Sequence, residues 1–376
     1  MATVPFNRPH VVGNEHRYIQ EAIDRGWTAG NGGFTRRCHD WLTQTLGCGR
    51  AFLTNSCTGA LEMAALLLDL LPGDEVIMPS FTFVSTANAF ALRGAVPVFV
   101  DIRPDTLCLD VERVAAAITP RTRAICAVHY AGNSCDLDQL AAAAGAIPIV
   151  EDAAQGLLAT FRGRQLGTFG ALSALSFHET KNVISGEGGA LLVNDPALFQ
   201  RAEISWEKGT NRAAMFRGEI DKYTWVDLGS SFLPSELTAA FLFAQMEQAR
   251  ELTLARRQIW ERYREALAPA AARGLLELPA ALADNVHNGH MFNVLLPDLA
   301  ARTRVIAALK ARDLHAVFHY VPLHSSPAGR RYGRAQGPLN VTDSVSDRLL
   351  RLPMWFGLPA SGQQEVVETM VAALLR

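Results

Sequence analysis

Lysine is scarce in this 376-residue chain. Only four occur, Lys181, Lys208, Lys222 and Lys310, against thirty-one arginines. Arginine has taken over ordinary surface charge, so a lysine kept in a glycine-rich setting implies a task that arginine cannot do. A guanidinium stays protonated, whereas an amine can lose its proton in a suitable pocket and act as nucleophile or base. Other absences narrow the class. The six cysteines form no C-x-x-C pair and read as plain thiols of a reducing cytosol, not a disulfide framework. There is no H-E-x-x-H, histidine cluster or acidic loop, so metal catalysis is not expected. The longest apolar run, "MAALLLDLL", is too short to span a bilayer and is broken by Asp69. The opening "MATVPFNRPHVVGNEHRYIQ" lacks the basic start and apolar core of a secretion signal, which leads us to expect a cytoplasmic protein. A formal charge of −2 offers no general attraction for nucleic acid or an anionic membrane, and neither is expected as a partner.

What is present reads as a well-filled globular protein. From about residue 50 to 200, apolar runs alternate with helix-like stretches: "EVIMP", "AVPVFVDI", "RAICAVHY" and "AIPIVEDAAQ". Strands apolar on both faces, separated by helices, predict an α/β fold with a large mixed, mostly parallel sheet. "ALSALSF" and "GGALLVND" are expected to pair across the loop that holds Lys181. The stretch from Ser235, "SELTAAFLFAQMEQARELTLARRQIWERYREAL", has helical periodicity over many turns and is expected to lead out of the large domain. The reading is a large domain over 1–250 and a smaller α+β domain over 251–376, with "HMFNVLLP" and "HAVFHYVPLH" as its strands, a helix near Thr303–Arg312 and a closing helix from Gln363.

Open sheets of this class bind ligands beyond the carboxyl ends of their strands. Four pieces fall there. "TNSCTGALEMAALLLDLL" runs a polar turn, Asn55 to Gly59, into a helix whose free N–H groups favour a phosphate, although its Ser and Thr also suit a plain cap. "AIPIVEDAAQG" ends a strand in two adjacent acids, which alternation sends to opposite sides: one toward a ligand, the other toward solvent or a helix. Lys181 lies 29 residues beyond Asp152 in "SFHETKNVISGEGGALLVND". In "PSFTFVSTANAF", Phe81 or Phe83 follows a strand end and can lie flat on an aromatic ring. Each piece is ambiguous alone. Together, a phosphate cradle, a carboxylate for a ring nitrogen, a stacking aromatic and an imine-forming lysine are the needs of pyridoxal 5′-phosphate.

These same motifs, in order and spacing over nearly the whole chain, resemble the DegT/DnrJ/EryC1/StrS family of nucleotide-sugar aminotransferases. The resemblance implies the type I aspartate-aminotransferase fold and a homodimer with active sites at the interface. It makes Lys181 the Schiff-base lysine, Asp152 the partner of the pyridine nitrogen, Gln155 the neighbour of the phenolic oxygen and Phe83 the stacking aromatic. Thr58, Gly59 and Ser176 match phosphate ligands, and His324 in "YVPLH" a substrate-side histidine. "EKGTNRAAMFRGEIDKYTWVDLGSSFLPSE" narrows the resemblance to the branch that makes dTDP-4-amino-4,6-dideoxygalactose for surface glycans such as enterobacterial common antigen. Many relatives read G-Y-N-Y-R where this chain has "GSSFL". That places Ser231 at the cross-subunit phosphate contact and Leu233 at the arginine.

The reaction so implied is ping-pong. L-glutamate gives up its amino group, the cofactor passes through its pyridoxamine form, and a dTDP-4-keto-6-deoxy sugar receives the amine. Lys208 and Arg212 are the candidate ligands of the nucleotide diphosphate. Transamination at C3 of a 3-keto sugar stays open. So does a lyase or desulfurase of the same fold, the latter needing a reactive cysteine such as Cys57 or Cys135, neither of which has a cation beside it in sequence. A non-enzymatic regulator sensing the cofactor or a sugar is the remaining alternative, but no basic helix for DNA is apparent. His178 is expected to be structural.

Overall fold

The computed structural model describes residues 3–375. Nine strands come first: β1 (Arg50–Thr54), β2 (Glu75–Pro79), β3 (Val96–Val100), β4 (Thr122–Val128), β5 (Ile149–Asp152), β6 (Thr160–Phe161), β7 (Arg164–Gln165), β8 (Leu172–Ser176) and β9 (Gly189–Val193). Four follow: β10 (Asn285–Val286), β11 (Phe292–Leu295), β12 (Arg334–Ala335) and β13 (Leu349–Leu352). Eight of them form one sheet in the order β1-β9-β8-β5-β4-β2-β3-β12. The pairings from β8 through to β12 are parallel, whereas β9 runs antiparallel to both β8 and β1. The alternation read from the sequence is thus a mixed, mostly parallel α/β sheet, and the pair "ALSALSF" and "GGALLVND" forms as expected.

Both faces of this sheet are covered, which explains the unbroken apolar runs. On β2, Val76 and Met78 pack into one cluster with Leu61, Ala64 and Phe90, while Ile77 enters another with Val98, Ile125 and Leu140. On β9, Leu191 and Val193 face the first of these and Ala190 and Leu192 face a third, with Leu42, Phe34 and Ala240. A further cluster joins Tyr263, Leu267, Phe292, Val294, Leu350 and Met370 around β11, β13 and the last helices.

The long helical stretch is two helices, Glu236–Glu247 and Ala249–Ala272, broken at Gln248. Helices also form at Leu299–Lys310 and Ala360–Leu374. "HAVFHYVPLH" departs from expectation. It forms no strand, and only Val317 bridges Arg351. Pro322 lacks a donor, and Leu323 N–H goes instead to Ser80 O at 3.1 Å. None of the described helices is long and apolar enough to cross a membrane.

The register gathers chain ends along one edge. Thr54, the last residue of β1, opposes Gly189 at the start of β9, and Gly189 in turn opposes Ser176 at the end of β8. β4 and β5 end beside them at Val128 and Asp152.

Candidate functional site

A cavity of about 410 Å³ opens along that edge. Its wall includes Thr58, Phe83, Asp152, Gln155, Ser176 and Lys181. Six of the residues singled out from the sequence therefore meet in one place.

Lys181 sits in the connection over 177–188 between β8 and β9, its N–H donating to His178 O at 2.9 Å. Burial lowers the pKa of its amine, and the nearby Arg351 guanidinium acts in the same direction; the Cys57 thiol and Asp152 carboxylate oppose them without prevailing. Asp152 ends β5 with its carboxylate fixed at both oxygens. Thr86 Oγ1 donates to Oδ2 at 2.6 Å, and Ala154 N–H donates to Oδ1 at 3.2 Å. Gln155 is locked too. Its Oε1 accepts from Ala131 N–H at 2.7 Å and its Nε2 donates to Tyr320 Oη at 3.1 Å. Phe83 is 57% exposed in the wall of this cavity, whereas Phe81 is fully buried, so Phe83 is the aromatic left free for a ring.

The adjacent acid Glu151 points the other way, as alternation requires, but meets neither solvent nor a helix. It is fully buried in a cage of donors: His129 Nε2 at 2.7 Å and the N–H groups of Gly167 at 2.8 Å, Phe169 at 2.6 Å and Gly170 at 2.6 Å. Burial pushes its carboxyl up, but His129 and these N–H groups outweigh burial and hold it below the ordinary carboxylate value.

The hydroxyl-rich end of the cavity is the start of helix Cys57–Leu67. Ser56 caps it, Oγ accepting from Gly59 N–H at 3.0 Å, so Gly59 stands behind the wall with its N–H already engaged. Thr58 Oγ1 donates to Ser85 Oγ at 2.8 Å. The backbone of β9 presses against this helix start: a Cβ on Gly189 would lie 2.4 Å from Cys57 N, so only glycine fits there. Cys57 does have a cation near it, Lys181, contrary to the reading from sequence neighbours. Even so, burial and Asp152 raise its thiol well above the usual value, and burial does the same to Cys135. Neither is a ready thiolate nucleophile.

His290, His319, Tyr320 and Arg351 also line the cavity, and the sequence reading missed them. They come from the C-terminal third, where nothing in their spacing marks a site. Burial depresses both histidines far below their ordinary value, with Lys181 and Arg351 adding to it, so both rings are neutral. His178 lies on the wall as well, its Nδ1 engaged with Thr180 Oγ1 at 2.9 Å.

Four candidates lie elsewhere. Lys208, Arg212 and Ser231 line a second cleft of about 990 Å³, together with Arg36, His39 and Glu203. Ser231 O accepts from Asn55 Nδ2 at 3.4 Å, which ties this segment to the turn before helix Cys57–Leu67. His324 is engaged by Ser80, Nδ1 to Oγ at 2.8 Å, and is not part of the cavity wall.

The donor set fits pyridoxal phosphate. Hydroxyls cluster at a helix start, a carboxylate is anchored at a strand end, a ring stands free, and an amine is held below its usual pKa.

A model of the DegT/DnrJ/EryC1/StrS aminotransferase family matches residues 9–371. The chain is 30% identical to the spore coat polysaccharide biosynthesis protein SpsC of Bacillus subtilis (strain 168), over 98% of this chain and 96% of that protein. Among solved structures it resembles the aminotransferase TlmJ of Streptoalloteichus hindustanus, with a TM-score of 0.91 and 30% identity, covering 100% of this chain and 99% of that one. It likewise resembles S. venezuelae DesV, solved in complex with a ketimine intermediate, with a TM-score of 0.90 and 30% identity over 100% of both chains. Pyridoxal phosphate is the cofactor, and the chain belongs to the DegT/DnrJ/EryC1/StrS aminotransferase family.

Proposed function

We propose that this chain takes the amino group of L-glutamate and delivers it to C4 of a dTDP-4-keto-6-deoxyhexose, acting as a cytoplasmic homodimer. One observation carries the reading. An amine whose pKa is lowered by burial, Lys181, and an anchored carboxylate, Asp152, share a single cavity with a free aromatic ring. Pyridoxal phosphate, when bound, supplies the electron sink that makes a Cα proton removable.

The residues divide the remaining work. Lowering its pKa enlarges the neutral fraction of the Lys181 amine, the form with a lone pair for attack or proton abstraction. Lys181 takes the proton from Cα of the donor and, in the second half of the cycle, returns one to the sugar carbon. Asp152 keeps the ring nitrogen protonated, and Thr86 and Ala154 stop its carboxylate from rotating away. Gln155, fixed between Ala131 and Tyr320, is the residue that would meet the cofactor's phenolic oxygen. Thr58 and Ser176 would hold the phosphate, with Ser85 beside Thr58. Gly59 lets the helix start form close to it.

The second cleft is assigned to the nucleotide, with Lys208 and Arg212 toward the diphosphate and Ser231 toward a neighbouring subunit's phosphate site. An exposed apolar segment supports the dimer: Phe216, Tyr223, Trp225, Val226 and Leu228 all lie open to solvent. Six free cysteines fit a reducing compartment. The dTDP and C4 assignments rest on the Glu207–Glu236 segment read above.

The test is incubation with L-glutamate and dTDP-4-keto-6-deoxyglucose, followed by NMR of the product. An amine at C4 is expected. Failure to turn over this sugar, with turnover of a 3-keto isomer, would move the assignment to C3.

A further inference from the structure

His290 is pinned by its backbone and by its ring. Helix Ala249–Ala272 lies so close that a Cβ on Gly289, whose φ is +61°, would sit 2.8 Å from Arg257 N. From the same helix, Arg256 donates through Nε to Gly289 O at 3.2 Å and through Nη2 to His290 O at 2.6 Å. His290 N–H donates to Asn288 Oδ1 at 3.0 Å, and Asn288 Nδ2 donates to Gln155 O at 2.9 Å and Leu157 O at 2.8 Å. The ring nitrogen Nδ1 lies 3.1 Å from Asn182 Oδ1, while Asn182 Nδ2 donates to Asn288 O at 2.9 Å. A carbonyl only accepts, so the Asn182 amide has one orientation, its Oδ1 meets Nδ1, and Nδ1 carries the hydrogen. The lone pair is then on Nε2, which has no hydrogen-bond partner among the described residues, and the ring lines the Lys181 cavity. Asn182, Arg256, Asn288 and His290 are all buried, so water does not compete for these bonds.

An acceptor left open in a cavity takes a donor, and its surroundings select which. Burial keeps the ring neutral, reinforced by Lys181 from the 177–188 connection, Arg256 from the helix, Arg351 from β13 and the His319 ring from the 317–324 segment. An incoming ammonium is disfavoured beside those guanidinium groups, whereas a neutral hydroxyl is not. L-glutamate has only its amino group as a donor, and that group becomes part of the reacting bond. The keto hexose carries a hydroxyl on C3, next to its C4 ketone, and that ketone must come within reach of Lys181, the residue before Asn182. On the strength of the proposed function, we infer that His290 Nε2 accepts a hydrogen bond from the C3 hydroxyl of the keto sugar, and that Asn182 is the positioning residue that holds the ring in the form able to do so. His290 reads the sugar in the second half of the cycle and takes no part in the first. A site built to bond a hydroxyl discriminates against the analogue that lacks it.

Nitrogen-15 NMR of the cofactor-free chain, labelled at histidine, tests the ring directly. The His290 signals, identified by their loss in His290→Leu, should show a protonated Nδ1 and an unprotonated Nε2. Asn182→Leu should release this preference, and Asn182→Asp, which keeps an oxygen for Nδ1–H, should retain the proton on Nδ1. The two half-cycles are then timed separately by cofactor absorbance, one with L-glutamate and one with the keto sugar or its 3-deoxy analogue. His290→Leu should raise the half-saturating keto-sugar concentration about tenfold, and Asn182→Leu somewhat less, while the glutamate half stays within about twofold. Removing the C3 hydroxyl should cost the wild type about the same tenfold and His290→Leu almost nothing more, because residue and hydroxyl form one bond. Should His290→Leu fail to fold, Asn182→Leu carries both comparisons, and its own spectrum identifies the ring by the change. A protonated Nε2 in the wild type, equal losses in both halves, or an undiminished penalty for the 3-deoxy sugar in the variant overturns the assignment. A wild-type chain that aminates no keto sugar sinks the aminotransferase reading and the hydroxyl contact with it, whereas the hold of Asn182 on the ring is decided by the NMR spectrum alone.

Discussion

Thr86 donates its hydroxyl to Asp152 Oδ2 across 2.6 Å, and Thr82 Oγ1 lies 2.8 Å from the same hydroxyl. All three residues are buried, so the aim of the carboxylate is set by a hydroxyl on the helix Val84–Ala91. Thr86→Val keeps the shape and deletes that bond. A charge-assisted hydrogen bond of this kind contributes about 1.5–3 kcal/mol, so turnover should fall roughly tenfold to a hundredfold while the protein stays yellow. Thr86→Ser should restore most of the rate. Asp152→Asn should keep the cofactor and lose several more powers of ten. Undiminished turnover in Thr86→Val would show that Asp152 is aimed by something else.

Lys181 carries two pH predictions. Its amine is held below the ordinary lysine value of 10.5 by burial and by Arg351. The rate at which the cofactor-free chain forms an imine with added pyridoxal phosphate should therefore rise with pH through this lowered value, and Arg351→Gln should move the rising limb to higher pH. Stability has the same origin. Between the folded-state pKa and 10.5 the unfolded chain binds more protons, so folding stability of the cofactor-free protein rises with pH there. Below that window the burial penalty is fully present. Lys181→Met should accordingly raise the melting temperature at pH 7, and the gain should shrink as pH approaches 10.5. A constant gain at every pH would mean that packing, not charge, is responsible.

Glu151 is a structural acid next to Asp152, the acid to which the proposed function gives the chemistry. Four donors converge on it in a fully buried site, and the group is held below its ordinary value of 4.5. A carboxylate depressed in this way stabilises the fold above that ordinary value, and the contribution is lost as pH falls through the folded value. Glu151→Gln turns an acceptor into a partial donor among donors and should cost about 3–5 kcal/mol. Chemical denaturation at pH 7 and pH 4 would read it. The variant should lose stability at pH 7 and show a shallower decline into acid than the wild type.

The sheet and the gathering of Thr58, Phe83, Asp152, Gln155, Ser176 and Lys181 in one cavity are legible because both are written locally. Two-sided apolar strands, a Ser-capped helix start and an acid at a strand end each occupy one short run of sequence. Lys181 stood out because lysine is rare. The C-terminal wall is different. His290, His319, Tyr320 and Arg351 reach the cavity only after β13 pairs with β11 and the 317–324 segment folds across it, and such long-range pairing leaves no periodic trace. "HAVFHYVPLH" looked like a strand because its composition is strand-like, but its proline and its contact with Ser80 pull it off the ladder. The fate of Glu151 was hidden too, since three of its four donors are backbone N–H groups 16 to 19 residues away and the fourth is the His129 ring.

Trp225 is 73% exposed, with its indole N–H bonded at 2.6 Å to Asp227 O in the same loop. Nothing beneath depends on its ring, so Trp225→Glu should fold normally, as judged by circular dichroism. In sedimentation the proposed dimer should give way to monomer, because a charge placed in this exposed apolar segment is costly to desolvate in a contact. Complementation gives the sharper result. Lys181→Ala chains retain the second cleft, and chains with Lys208→Ala and Arg212→Ala retain Lys181. If each active site draws on both subunits, equal mixing regenerates one complete site in each mixed dimer, hence about a quarter of wild-type activity from two inactive proteins. No recovery, from subunits shown to exchange, would place Lys208 and Arg212 outside the site or within a single subunit's own.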